Sequence, residues 1–262
     1  MELDLEVCRA IAVQHGLPLQ FVAKEFHVFN VLGQITEFSM DIKTAFVFKG
    51  GTALNKVYLK KGQRFSEDLD FDLDVRTDAE LLKFCKEMSI AIKGYKIGKI
   101  RKVRDTLQFD CAYETPFGSV DHIRIDISKK NIFTALPLQK KPATSDFAQL
   151  SASGFDVYSL EDLVARKMHA LATRTEGKDI YDVHSSIPLC GDMRNPILFM
   201  LRSEKKTDEP KEFVHETLVV LDKVDIKKIA SLTNPFIPLR HRPKNWLELK
   251  NNLILMLERL KI

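Results

Sequence analysis

The chain has 262 residues, 45% hydrophobic and 29% charged, a balance that excludes a disordered or collagen-like polymer and suffices for one large domain or two modest ones. Its 40 basic and 36 acidic residues leave a formal charge of +4, which permits a nucleic-acid partner without requiring one. With no run of about 18 apolar residues, no membrane span is expected.

The acidic start Met1-Glu2-Leu3-Asp4 is unlike a signal peptide and predicts a cytoplasmic chain. Leu5, Cys8, Ile11 and Ala12 recur at helical spacing until Gly16-Leu17-Pro18, and Phe21, Val22, Phe26, Phe29, Leu32 and Phe38 continue a second helix to about Met40. Ala45-Phe46-Val47-Phe48 reads as a buried strand closed by Gly50-Gly51, with a helix over 52–60 and a strand over 69–75. Leu81 to Lys93 is an amphipathic helix, and strands near 107–113 and 119–128 form a hairpin around Pro116-Phe117-Gly118. A polar stretch over 137–154 marks a boundary, after which helices dominate. The prediction is an α+β chain: a mixed-sheet unit at 1–150 with amino-terminal helices, and a helical unit at 151–262. Cys8, Cys85, Cys111 and Cys190 form no Cys-x-x-Cys pair and predict reduced, buried thiols.

The densest chemical signal is Arg64-Phe65-Ser66-Glu67-Asp68-Leu69-Asp70-Phe71-Asp72-Leu73-Asp74. Strand alternation puts the aspartates on one face and Leu69, Phe71 and Leu73 on the other. Like charges about 4 Å apart repel by about 4 kcal/mol at an effective dielectric near 20. A hard divalent cation such as Mg²⁺ offsets this at Asp68 and Asp70, whereas Asp72 and Asp74 read as a solvated edge strand. Gly50-Gly51-Thr52, between a strand and a helix, suits close backbone approach to an anion. It matches neither the Gly-x-x-x-x-Gly-Lys-Ser/Thr nor the Gly-x-Gly-x-x-Gly pattern. Asp126, central in an apolar strand, either pairs with a base or joins Asp68 and Asp70. Three carboxylates, divalent ions and a phosphate turn are the apparatus of phosphoryl or nucleotidyl transfer.

In the helix from Leu160, Lys167 falls on the apolar stripe of Leu160, Leu163, Val164, Met168 and Leu171, where it must snorkel or find an anion. Ser159 is a candidate cap, and Asp162, on the opposite face, supports that cap or pairs with Arg166. Asp179 and Asp182 share a helical face, and His169 and His184 read as structural. From Lys93 to Arg104 there are six bases and no acid, a run that either tracks a phosphate backbone or is a solvated face. Lys129-Lys130, Lys140-Lys141 and Arg240 to Lys244 read the same way.

Lys49-Gly50-Gly51-Thr52-Ala53-Leu54 followed by Arg64 to Asp70 resembles the AbiEii-type nucleotidyltransferase toxins of type IV toxin–antitoxin systems, within the DNA polymerase β-like nucleotidyltransferase superfamily. Lys24 to Val28, Ser159 to Leu171 and Gly177 to Asp182 continue the resemblance. It implies a polymerase β-like core whose helical carboxy-terminal region completes the nucleotide site. It implies nucleotide-binding roles for Lys49, Gly50, Gly51, Thr52, Arg64, Ser66 and Lys167. Asp68, Asp70 and Asp126 would hold Mg²⁺ or Mn²⁺, with Asp126 also assisting deprotonation of the acceptor hydroxyl. Lys167 would contact the triphosphate, and Asp182 would complete a later catalytic motif. The implied reaction moves a nucleoside monophosphate from an NTP to an acceptor hydroxyl, on RNA such as a tRNA 3′ end, with a cognate antitoxin as partner and no membrane. Two alternatives stay open: a protein hydroxyl as acceptor, or a non-catalytic binding module of the same fold.

Overall fold

The computed structural model describes residues 3–262; Met1 and Glu2, half of the acidic start, lie outside the described residues. The chain forms two compact units. The first runs to Ile132 and takes in Gln139–Val157; the second comprises Phe133–Leu138 and Tyr158–Ile262. The boundary expected within 137–154 falls elsewhere: most of that stretch is a strand hairpin, and the first unit continues past residue 150 to Val157.

In the first unit, α1 (Leu5–His15) is capped by the Asp4 carboxylate and ends on Gly16 in the left-handed region. After it come α2 (Leu19–Ser39), β1 (Phe46–Lys49) and the four-residue α3 (Gly50–Ala53). The helix predicted over 52–60 instead widens to π geometry at Leu54–Leu59 and tightens to a 3-10 turn at Lys60–Gly62. Buried Asn55 accompanies the change: its side chain donates to the Gly51 carbonyl and accepts from the Arg64 backbone N–H, both at 2.9 Å. Then come β2 (Leu69–Leu73), α4 (Asp78–Ala91), β3 (Lys96–Ile97), β4 (Arg101–Val103), β5 (Thr106–Glu114), β6 (Val120–Lys129), β7 (Gln139–Ser145) and β8 (Leu150–Val157). The strand order is β3-β5-β6-β2-β1-β8-β7, with β4 also on β5. β2 with β6 and β1 with β8 are parallel, the other pairs antiparallel. One face is apolar: Phe46, Phe48, Leu69, Phe71, Leu73, Phe109, Ile125 and Ile127 are buried on it, with Phe46 stacked on Phe71 at 4.4 Å. The alternate residues give the other face its polar chemistry.

The second unit holds α5 (Leu160–Arg174), α6 (Gly177–Ser186), α7 (Arg194–Ser203), α8 (Pro210–Asp222), α9 (Ile226–Thr233) and α10 (Trp246–Glu258). Leu163, Val164, Met168, Leu171, Ile180, Val183 and Phe213 lie in its core. Ser159 does cap α5, accepting from the Asp162 N–H at 3.0 Å. Of the two roles expected for Asp162, support of that cap is the one its contacts show. The residue is buried, accepting from Ser159 Oγ and from the Ala135 and Leu136 N–H groups, while Arg166 lies over the Tyr158 ring. Among the described residues no helix is long and apolar enough to cross a membrane. All four thiols are free; Cys8, Cys85 and Cys111 are buried and Cys190 only partly so.

Candidate active site

Strand register builds the site on the polar face. Lys49 on β1 faces Asp70 on β2, Asp70 faces Asp126 on β6, Asp126 faces Gln108 on β5, and Gln108 faces Arg101 on β4. Register partners share a face, so these side chains form one row across the sheet. Asp68 precedes Asp70 by one alternation and is exposed, whereas Asp70 and Asp126 are half-buried.

The glycine turn abuts this row. Gly50 has φ +76, and a Cβ built on it would lie 2.1 Å from Asp70 Oδ2. Only a hydrogen lets the turn and the carboxylate occupy adjoining space.

Asp126 carries the strained electrostatics. Burial raises its pKa, the Asp68 charge raises it further, and Gln108, Arg124 and Lys49 oppose the shift only in part. Gln108 Nε2 donates to Oδ2 at 3.0 Å, while Oδ1 is buried with no hydrogen-bond partner. Hard oxygen donors, mutual repulsion and an orphaned buried oxygen fit a divalent cation. Among the described residues no three His, Cys, Asp or Glu side chains are already gathered into a metal-holding cluster, so Asp68, Asp70 and Asp126 would have to close on the ion.

Several residues expected to touch nucleotide have partners within the protein. Thr52 is buried and donates to Ser66 Oγ at 2.9 Å and to the Asp68 carbonyl at 2.5 Å, pinning the strand entrance rather than offering its hydroxyl to phosphate. Arg64 is 3% exposed and donates to the Phe65 carbonyl at 2.9 Å, so it braces the segment from within. Ser66, half-buried, accepts from Thr52. Lys49 gives its ammonium to Asp72 at 2.5 Å and Ser128 at 3.1 Å. That pairing also corrects the solvated reading of Asp72, which is buried on an interior strand; Asp74 is exposed. Lys167 does find an anion, but within its own unit: Nζ lies 2.7 Å from Asp179 and 2.9 Å from Asp182, both fully buried. In this structure these carboxylates are its partners. Burial pushes the Asp179 carboxyl up, yet Arg174 and Lys167 outweigh that and hold it down at about 2. The basic runs are partly neutralised too: Lys102 and Lys129 pair with Asp78, and Lys140 with Asp156.

One helical segment supports the site from behind, which periodicity alone gave no reason to expect. Lys24 on α2 bridges Glu67 at 2.8 Å and Asp121 at 3.0 Å, fixing the residue just before Asp68. Its neighbour Glu25 pairs with Lys56 on the π-helical turn after Gly50, both side chains fully buried. His27 stacks on Tyr113 of β5 at 3.6 Å, and burial lowers its pKa to about 4, keeping it neutral. Three polar residues within four positions of a mostly apolar helix were the available signal.

A mixed sheet that sets a glycine turn against an Asp-x-Asp strand, with a further aspartate in register on the parallel neighbour, defines a nucleotidyltransferase. The chain belongs to the AbiEii family: the family described as "Nucleotidyl transferase AbiEii toxin, Type IV TA system" matches over residues 41–244. Such membership implies an NTP substrate and an antitoxin partner. MenT4, a nucleotidyltransferase toxin of Mycobacterium tuberculosis, has a similar fold at 17% identity, with 97% of this chain and 99% of that one covered and a TM-score of 0.61. An antigenic nucleotidyltransferase-like protein of Paracoccidioides brasiliensis aligns at 13% identity over 84% of this chain and 98% of that one, with a TM-score of 0.44. A comparison with curated proteins found no match.

Proposed function

We propose that this nucleotidyltransferase toxin transfers a nucleoside monophosphate from an NTP to a hydroxyl of RNA, such as a tRNA 3′ end, in the cytoplasm. The observation that carries the reading is the adjacency of Gly50 and Asp70 within the row that also holds Asp126. Gly50 and Gly51 offer backbone to the triphosphate. Asp68, Asp70 and Asp126 would hold Mg²⁺ or Mn²⁺, which supplies charge neutralisation on the triphosphate when bound. Asp126, whose proton affinity is raised, accepts the acceptor hydroxyl proton. The hydroxyl oxygen then bonds to the α-phosphorus as the bond to the bridging oxygen breaks, and pyrophosphate leaves.

The test is incubation with each α-labelled NTP, Mg²⁺ and total RNA or lysate. Label on RNA that disappears in Asp70→Ala is the expected result. Label confined to protein refutes the RNA acceptor, and persistence in Asp70→Ala refutes the site.

A further inference from the structure

The row of register partners has a direction. At its β1 end lie Lys49 and the Gly50 turn, in the middle Asp70 and Asp126, and at the far end Gln108 and Arg101. Beside that far end, Asp110 on β5 faces Arg124 on β6. Arg101 lies 3.0 Å from one Asp110 oxygen and Arg124 3.3 Å from the other, with His122 at 3.8 Å. Two guanidiniums thus share one carboxylate. Both stay open to solvent, Arg101 at 48% and Arg124 at 38% side-chain exposure, and each carries five N–H donors.

We propose that Arg101 and Arg124 form the subsite for the terminal phosphodiester of the acceptor RNA, with Asp110 holding the two forks in place until phosphate arrives. This deepens the function proposed above and rests on it. Planar guanidiniums match phosphate oxygens in bidentate fashion, and two of them outnumber the one carboxylate they share, while Asp68 and Asp126, which also act on Arg124, are the groups assigned to the metal. Two residues of strand rise, about 7 Å, separate Arg124 from Asp126 on one face, about the reach of a sugar between a phosphate and its hydroxyl. The triphosphate belongs at the opposite end, so donor and acceptor flank the carboxylates. Of the cations in 93–104, this assigns Arg101 to the acceptor and leaves Lys102 to Asp78.

The experiment measures binding of 5′-labelled total tRNA by fluorescence anisotropy, without NTP and with EDTA, so that no turnover is needed. The R101Q/R124Q variant should bind about tenfold more weakly, with a log K against log salt slope shallower by about 1 to 2. The equal-charge control K83Q/K86Q, on exposed positions of α4, should stay within about twofold. Asp110→Asn should tighten binding by releasing both forks, whereas a purely structural cluster would weaken. Equal losses in the two double variants, or weaker binding by Asp110→Asn, overturns the subsite. A wild-type chain that labels protein and ignores tRNA overturns it while leaving nucleotidyl transfer standing. Arginine-dependent tRNA binding by a chain that transfers nothing supports the subsite and refutes the transfer.

Discussion

Gly50→Ala puts the central contact of the site under the smallest possible strain. The new Cβ would meet Asp70 Oδ2 at 2.1 Å, Cγ at 2.8 Å and Cβ at 2.9 Å. Ordinary contact begins at 3.4 Å, so the carboxylate must retreat by about 1.3 Å or the turn must open. Left-handed φ costs a non-glycine residue about 1–2 kcal/mol in addition. A displacement of about 1 Å in a reacting constellation lowers rates by about a hundredfold. Transfer of label from an α-labelled NTP should therefore fall about a hundredfold or more, while the melting temperature drops by only about 4–8 °C, for a loss of about 2 kcal/mol. Gly62→Ala, with nothing within 4 Å of its added Cβ, should leave both unchanged. A folded Gly50→Ala protein with wild-type transfer would show that Asp70 needs no such closeness.

Three further outcomes follow from the electrostatics. Glu25→Gln or Lys56→Met leaves a buried charge unpaired and should cost about 3–5 kcal/mol in urea denaturation. The Glu25→Leu/Lys56→Met pair should cost less than either single change, and additive losses would refute the pairing. Asp179 ionises at about 2, so its stabilisation is present above the ordinary carboxylate range and lost as pH falls through about 2. It amounts to about 2 kcal/mol, and Asp179→Asn should flatten that acid limb of the stability profile. Asp126 is shifted the other way: its stabilising contribution is present below its ordinary pKa and lost as pH rises through the raised value. Asp126→Asn should therefore stabilise the fold at neutral pH while abolishing transfer. Saturating Mn²⁺ should raise the wild-type melting temperature and leave that of Asp126→Asn unmoved; equal shifts in both would argue against a carboxylate metal site.

Where the residue pattern was strong, the fold was legible. Alternation over 69–73 gave the strand and its aspartate face, because side-chain direction in a strand is fixed by parity alone. β3 and β4 escaped because two- and three-residue edge strands rich in lysine and arginine carry no alternation to read. β7 and β8 escaped because their hairpin is polar and contains Pro142 and Gly154, residues that signal loops. Among the proposed site residues, spacing identified the aspartates. It did not identify which neighbours already had partners: the apolar stripe showed that Lys167 faces inward but not that Asp179 and Asp182 meet it, and no local pattern encodes the inward contacts of Thr52 and Arg64.

The order in which the sheet is laid down carries a consequence for folding. β1, beside the glycine turn, is flanked by β2 and by the much later β8, while β2 takes β6 as its parallel neighbour. Such non-local pairing is slow to assemble. A nascent polypeptide still short of Val157 has no strand to cover that flank of β1. The sheet that seats the glycine turn is thus closed on that side only once residue 157 has been synthesised.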